Sequence, residues 1–287
     1  LEHLSKIRDS LRVDIEQVIF FRSGTNLGFE ISETMMIVMV SGGFLAGFID
    51  SIVGGGGLIT VPLFLLVLGP NASAIGTNKV AAVAAQLAAF AVYFQNRQVD
   101  KLRGPSIFVI TAVGAILGAM LAPRLPTEFF KWFLIVVTPA VIALVFTKSV
   151  WSRTPDQPPK PRLALLGSFG AGFYDGVAGP GGGTMMFLSL FFIGGMPAAI
   201  AMGTGKLANL GSALTSLGTY GLQGEVRWLL GTLVALPIAI GAWAGAKFAT
   251  RIRDGESLES RARDISRAAL VVVSGLLLVR WLTIQFF

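Results

Sequence analysis

Long runs without a charged residue divide the chain. They cover 51–78, 80–96, 104–123, 132–147, 176–205, 207–224 and 228–246. A helix crossing a bilayer needs about 20 mostly apolar residues, with about 17 as the lower limit, and most of these runs meet it. The two longest, 51–78 and 176–205, have room for a broken helix or a hairpin. None alternates a charged face with an apolar one, as the helices of a water-soluble core do. The pattern predicts an all-α polytopic membrane protein. The N-terminal stretch is different. Leu1, Leu4, Ile7, Leu11, Ile15, Val18 and Ile19 recur at helical spacing with Lys6, Arg8, Asp9, Arg12, Asp14 and Glu16 between them. That predicts an amphipathic helix on the membrane interface over 1–33, and neither a span nor a signal peptide.

The runs fall into two matching sets. At an offset of 125, Gly42, Gly47, Phe48, Asp50, Gly54, Gly56 and Gly57 fall on Gly167, Gly172, Phe173, Asp175, Gly179, Gly181 and Gly182. At an offset of 127, Gly76, Thr77, Lys79, Tyr93, Gly114, Gly118 and Arg124 fall on Gly203, Thr204, Lys206, Tyr220, Gly241, Gly245 and Arg251. Chance matching of apolar residues does not bring an Asp, a Lys, a Tyr and an Arg into register, so the pattern reads as an internal duplication. The expected organisation is an interfacial helix (1–33), a first transmembrane repeat (34–149), a Pro-rich linker (150–162) and a second repeat (163–287). Each repeat holds about five hydrophobic segments: 35–50, 58–69, 79–96, 105–122 and 132–147, then 163–175, 184–193, 206–222, 228–246 and 268–286. Gly114, Gly118, Gly241 and Gly245 read as small-residue seams between closely packed helices.

Composition agrees with the pattern. The chain is 53% hydrophobic and 14% charged, against about 25% charged in soluble domains. It has no cysteine, which excludes thiolate chemistry, and one histidine, His3, which reads as incidental. The net charge of +7 sits in short loops between apolar runs, where it suits anionic lipid rather than nucleic acid. No cofactor or metal motif is present, and no catalytic residue is nominated.

Four charges interrupt the apolar runs. Between 34 and 96 the only charged residues are Asp50 and Lys79, and between 163 and 224 only Asp175 and Lys206. A charge at mid-bilayer costs at least about 2.5 kcal/mol on insertion scales. Either these are structural Asp–Lys pairs, each within its own repeat, or they line a polar cavity that takes an anion. The glycines favour the cavity. Gly54, Gly55, Gly56 and Gly57, and Gly179, Gly181, Gly182 and Gly183 around Pro180, should break their helices. Irregular backbone at membrane depth is tolerated only inside protein or beside a watery cavity, and it frees N–H groups that can bind an anion. Gly76-Thr77-Asn78-Lys79 and Gly203-Thr204-Gly205-Lys206 are expected to open new helices, setting a hydroxyl and an ammonium at a positive helix end. They are not Walker loops, since the glycine five positions upstream and the preceding strand are missing.

The stretch from Gly47-Phe48-Ile49-Asp50 through the glycine cluster to Pro62, followed by Ala74-Ile75-Gly76-Thr77-Asn78-Lys79, resembles the signature of the TauE/SafE sulfite exporter family. Gly172-Phe173-Tyr174-Asp175 through Gly183, with Gly203-Thr204-Gly205-Lys206, is similar to that family's second half. The likeness covers about 34–286. It implies transport of sulfite or an organosulfonate such as sulfoacetate across the bacterial inner membrane. Two positions depart from equivalence between the halves: Phe187 stands opposite Pro62, and Pro180 opposite Gly55.

The expected function is therefore a secondary transporter of a small anion. Lys79, Lys206, Thr77, Thr204, Asn78 and the glycine clusters are the expected binding groups, and Asp50 and Asp175 the coupling groups. A passive anion channel and a non-transporting membrane scaffold are the alternatives. Expected partners are the small anion and the bilayer, with no nucleic acid and with a homodimer left open. Loop Lys and Arg counts hardly separate parallel from inverted repeats. The inverted arrangement is expected because it brings both glycine breaks to the midplane from opposite sides.

Overall fold

The computed structural model describes residues 33–130, 132, 136 and 160–251. The expected interfacial helix, the closing segments 132–147 and 268–286 and nearly all of the linker lie outside the described residues. Within them every regular element is helical: α1 (Glu33–Val53), α2 (Gly57–Leu68), α3 (Ala72–Gln95), α4 (Gly104–Leu121), α5 (Pro161–Val177), α6 (Gly182–Leu188), α7 (Ala198–Leu222) and α8 (Trp228–Arg251). A short 3-10 turn follows α4, and a π-turn, Ser189–Ile193, extends α6. Among the described residues, four stretches are long and apolar enough to cross a bilayer: Met35–Ile52, Ala72–Gln95, Gly104–Arg124 and Trp228–Arg251. Their outer faces expose large apolar side chains such as Ile37, Val109 and Leu236. On a soluble protein that much apolar surface would be a liability, whereas in a bilayer it faces lipid.

α1 stops at Val53 because Gly54 and Gly55 take φ of +78° and +89°, a region that costs a side chain dearly and glycine nothing. α5 stops in the same way before Gly179 and Gly181, at +89° and +75°. The start of α3 differs from expectation. Asn71 caps it, its side chain accepting the Ala74 N–H at 3.1 Å. The helix therefore begins at Ala72, and Lys79 lies two turns inside it rather than at its mouth. α7 likewise begins at Ala198, just after Pro197, so Lys206 is also interior.

Close backbone contacts give the directions of the helices. A Cβ built on Gly241 would lie 2.0 Å from the Phe44 carbonyl oxygen, and one on Gly245 would lie 2.3 Å from that of Phe48. α1 and α8 therefore run parallel, in contact along glycine. Gly114 meets Phe169 and Gly118 meets Phe173 at 2.3 and 2.2 Å, so α4 and α5 are parallel in the same manner. Leu207 lies against Gly104 and Phe108 against Gly211, which makes α4 parallel to α7. Thr77 bonds Arg227 while Val80 packs on Gly231, which aligns α3 with α8. Gly76 near the start of α3 meets Tyr220 near the end of α7, and Gly203 meets Tyr93, so α3 and α7 are antiparallel. Thus α1, α3 and α8 run one way, and α4, α5 and α7 the other. The helix that packs along α1 comes from the C-terminal half, and the one along α5 from the N-terminal half.

Candidate functional site

The two glycine loops meet. A Cβ on Gly57 would lie 3.0 Å from the Gly179 carbonyl oxygen and 3.3 Å from the Pro180 Cα, and one on Gly54 would lie 3.0 Å from the Thr184 hydroxyl. A side chain at either position would force the facing loop to give way. Around this junction α3 and α7 deliver their lysines, and both are buried, Lys79 at 1% and Lys206 at 2% exposure.

The ion pairs are crossed. Lys79 Nζ donates to Asp175 Oδ2 at 2.8 Å, and Lys206 Nζ to Asp50 Oδ2 at 2.6 Å. The alternative of pairs within each half is not what forms. The antiparallel α3–α7 contact carries Lys79 to the end of α5 and Lys206 to the end of α1. Each ammonium also donates to the backbone carbonyl of the same aspartate, Lys79 to Asp175 O at 2.6 Å and Lys206 to Asp50 O at 2.5 Å. The Asp50 carbonyl also accepts the Gly54 N–H at 2.9 Å; both carbonyls sit at the negative end of their helix, where a cation is stabilised.

The carboxylates are not equally provided for. Asp50 Oδ1 accepts the Gly56 N–H at 2.9 Å, while its Oδ2 accepts Gln86 Nε2 at 2.9 Å besides Lys206. Asp175 Oδ2 accepts Lys79 and the Ser212 hydroxyl, and no hydrogen bond reaches its Oδ1 from the described residues. The tyrosines steady the loops from behind. Tyr93 Oη donates to the Ser51 carbonyl at 2.5 Å and Tyr220 Oη to that of Gly176 at 2.7 Å.

A cavity of about 30 Å³ lies at the junction, with Asp50, Asp175, Lys79, Asn78, Gln86 and Asn209 among its lining. Of the residues expected from sequence, Gly55, Gly56, Gly57, Gly179, Gly181, Gly182 and Gly183 also line it, whereas Gly54 and Lys206 stand just behind. Thr77 and Thr204 are corrected: they do not reach the cavity. Thr77 Oγ1 accepts the Arg227 N–H at 3.0 Å and Thr204 Oγ1 the Asp100 N–H at 2.9 Å, each tying down the loop before a helix of the other half. Gln86, Asn209, Thr60 and Ser212 were missed. A signal for them existed, since Asn78 and Gln86 recur at two-turn spacing on α3, and Lys206, Asn209 and Ser212 at three-residue spacing on α7.

Buried charges and a polar cavity among helices of spanning length define a membrane protein with an intramembrane site, the arrangement of a transporter. The comparisons agree. Residues 39–278 match the family model described as sulfite exporter TauE/SafE, so this chain belongs to the TauE/SafE family of membrane transporters, which is not a family of enzymes. It is 33% identical over 224 residues to a probable membrane transporter protein of Haemophilus influenzae, covering 76% of this chain and 86% of that one. It is also 33% identical over 244 residues to the probable membrane transporter protein ORF9 of a Sinorhizobium species, covering 83% and 89%. With the probable membrane transporter protein YfcA of Escherichia coli K12 it shares 29% over 255 residues, covering 87% and 90%. No solved structure matches.

Proposed function

We propose that this chain is a secondary exporter of a small anion, sulfite or an organosulfonate such as sulfoacetate, in the bacterial inner membrane. The anion binds between the two glycine loops. The observation that carries this reading is the crossed pair of buried lysines beside a polar cavity where those loops touch. A sulfonate spreads its charge over three oxygens, so several moderate donors suit it. Lys79 and the amides of Asn78 and Asn209 are such donors. The cavity has room for one or two waters and a sulfonate is larger, so the arrangement is a closed one that binding must widen. Alternating access follows from a duplicated, inverted architecture. That architecture is supported by the matching offsets, the opposed directions of α1 and α5, and the paired contacts of equivalent residues across the halves.

Reconstitution in liposomes tests this. Sulfite or sulfoacetate should enter saturably and exchange against the same anion on the far side, while acetate and sulfate move more slowly. Flux of all four no faster than in protein-free liposomes contradicts transport, and flux that does not saturate returns the passive channel.

A further inference from the structure

Two lysines and two carboxylates sum to no net charge, so an anion entering this cavity meets carboxylates that repel it. One of them has an oxygen that no donor from the described residues occupies. We propose that Asp175, and not Asp50, carries a proton that crosses the membrane with the transported anion. This rests on the transport reading above and adds the coupling ion and its seat.

The inequality lies in the backbone. Gly56 has ordinary helical torsions, φ −54°, and its N–H points at Asp50. Its equivalent, Gly181, has φ +75° behind Pro180, and its N–H makes no bond to Asp175. The Pro180 carbonyl is itself held by the Tyr174 hydroxyl, which keeps this loop in its different turn. Asp50 therefore has donors on both oxygens, from Gly56, Gln86 and Lys206. Asp175 has two donors, both on Oδ2, and a free Oδ1 packed against Gly182. Donors therefore occupy both oxygens of Asp50, whereas Asp175 keeps one oxygen on which a proton can sit without displacing a hydrogen bond.

The cavity wall would receive that proton. Gln86 must present its N–H to Asp50, since an ionised carboxylate only accepts, and this leaves Gln86 Oε1 buried without a donor. Asn78 Oδ1 is also buried without one. Both residues line the cavity with Asp175, so two acceptor oxygens there lack a donor. Protonating Asp175 adds an O–H donor for the anion or an amide, removes a repelling charge and frees Lys79 to face the anion. Few charges compete there. Lys79 reaches Asp175 from α3, Tyr220 approaches from α7 with its hydroxyl on Gly176, and Tyr174 lies on α5 itself; Lys206 is turned to Asp50. Neither α4 nor α6 carries a titratable side chain. The proton comes from water on one side and returns to water on the other, leaving Asp175 ionised and paired again with Lys79.

The test counts protons moved per anion in proteoliposomes holding a pH-sensitive dye. The probe is sulfoacetate, or sulfite at alkaline pH, because neither carries its own proton there. The wild-type protein should move protons with the anion. In D175N the residual downhill anion flux should carry none, whereas in D50N flux should fall with the protons per anion unchanged. Wild-type flux without protons, or a ratio lost in D50N and kept in D175N, overturns the proposal while leaving transport standing. No wild-type flux of either probe defeats the transport reading and this proposal with it. Should D175N not fold, D175E supplies the second measurement. The anion-induced infrared stretch of a protonated carboxyl should shift in D175E and not in D50E, and the reverse also overturns the proposal.

Discussion

Lys79 and Lys206 each hold three things together: a carboxylate, a helix's terminal carbonyl and the contact between two halves of the chain. Removing one leaves a buried aspartate without its counter-charge, at a cost of about 3–5 kcal/mol. Lys79→Ala and Lys206→Ala should each nearly abolish anion binding, measured by isothermal titration on protein that still elutes as a single species. Lys→Arg should fail as well, because a planar fork does not fit where a compact ammonium meets two oxygens. The crossed pairing makes a sharper prediction. In thermal unfolding, Lys79→Ala and Asp175→Asn should couple by about 0.5–3 kcal/mol, the range for residues in direct contact. Lys79→Ala and Asp50→Asn should add independently. Coupling of the second pair and not the first would mean that each lysine serves its own half. The four charges were legible in the sequence as the only ones within two long apolar stretches, but their partners were not. Periodicity says which face of a helix a lysine occupies and nothing of which helix stands opposite. The threonines misled for the same reason: their place beside the lysine suggested a ligand role, while helical geometry turns them toward the loops of the other half.

At the level of the helices, glycine sets how closely backbones approach, and two kinds of glycine should respond differently. Gly241→Val would drive a side chain into the Phe44 carbonyl oxygen, already 2.0 Å from an added Cβ. It should destabilise the protein by about 1–3 kcal/mol, as overpacking does, lowering the unfolding temperature in detergent. Gly170→Ala on α5 has nothing within 4 Å of its added Cβ, and should instead gain about 0.5–1 kcal/mol through helix propensity. Equal responses would show that the seams do not hold α1 against α8. Glycines four residues apart and the glycine clusters stood out in the sequence, and the structure uses them for close backbone approach and for positive φ. The starts of α3 and α7 were misjudged. Reading Gly76 and Gly203 as helix openers overlooked Asn71 and Pro197, which supply the boundaries. The two glycines sit where the Glu225 and Gln98 carbonyl oxygens approach an added Cβ to 2.3 and 2.0 Å, a need visible only once the other half is in place.

Over the whole molecule, opposed helix directions put the loop between α3 and α4 on one side of the bilayer and that between α7 and α8 on the other. The chain has no cysteine, so Leu102→Cys and Gln223→Cys, both at exposed loop positions, should react with an impermeant thiol reagent from opposite sides. Reaction from the same side would contradict the inverted architecture. The matching residue offsets were visible in the sequence, but the interlocking of the halves was not, because small-residue seams on α4 and α8 announce a close neighbour without saying which helix it is. The central claim is that the anion binds where the glycine loops meet, in a cavity reached alternately from both sides. Thr60→Cys puts a single thiol on that cavity's wall, and its modification rate can be read in sealed vesicles of each orientation. The account predicts reaction from both sides, slowed in each case by a transported anion and not by acetate. A thiol reached from one side only, or unprotected by every anion the protein moves, would contradict it.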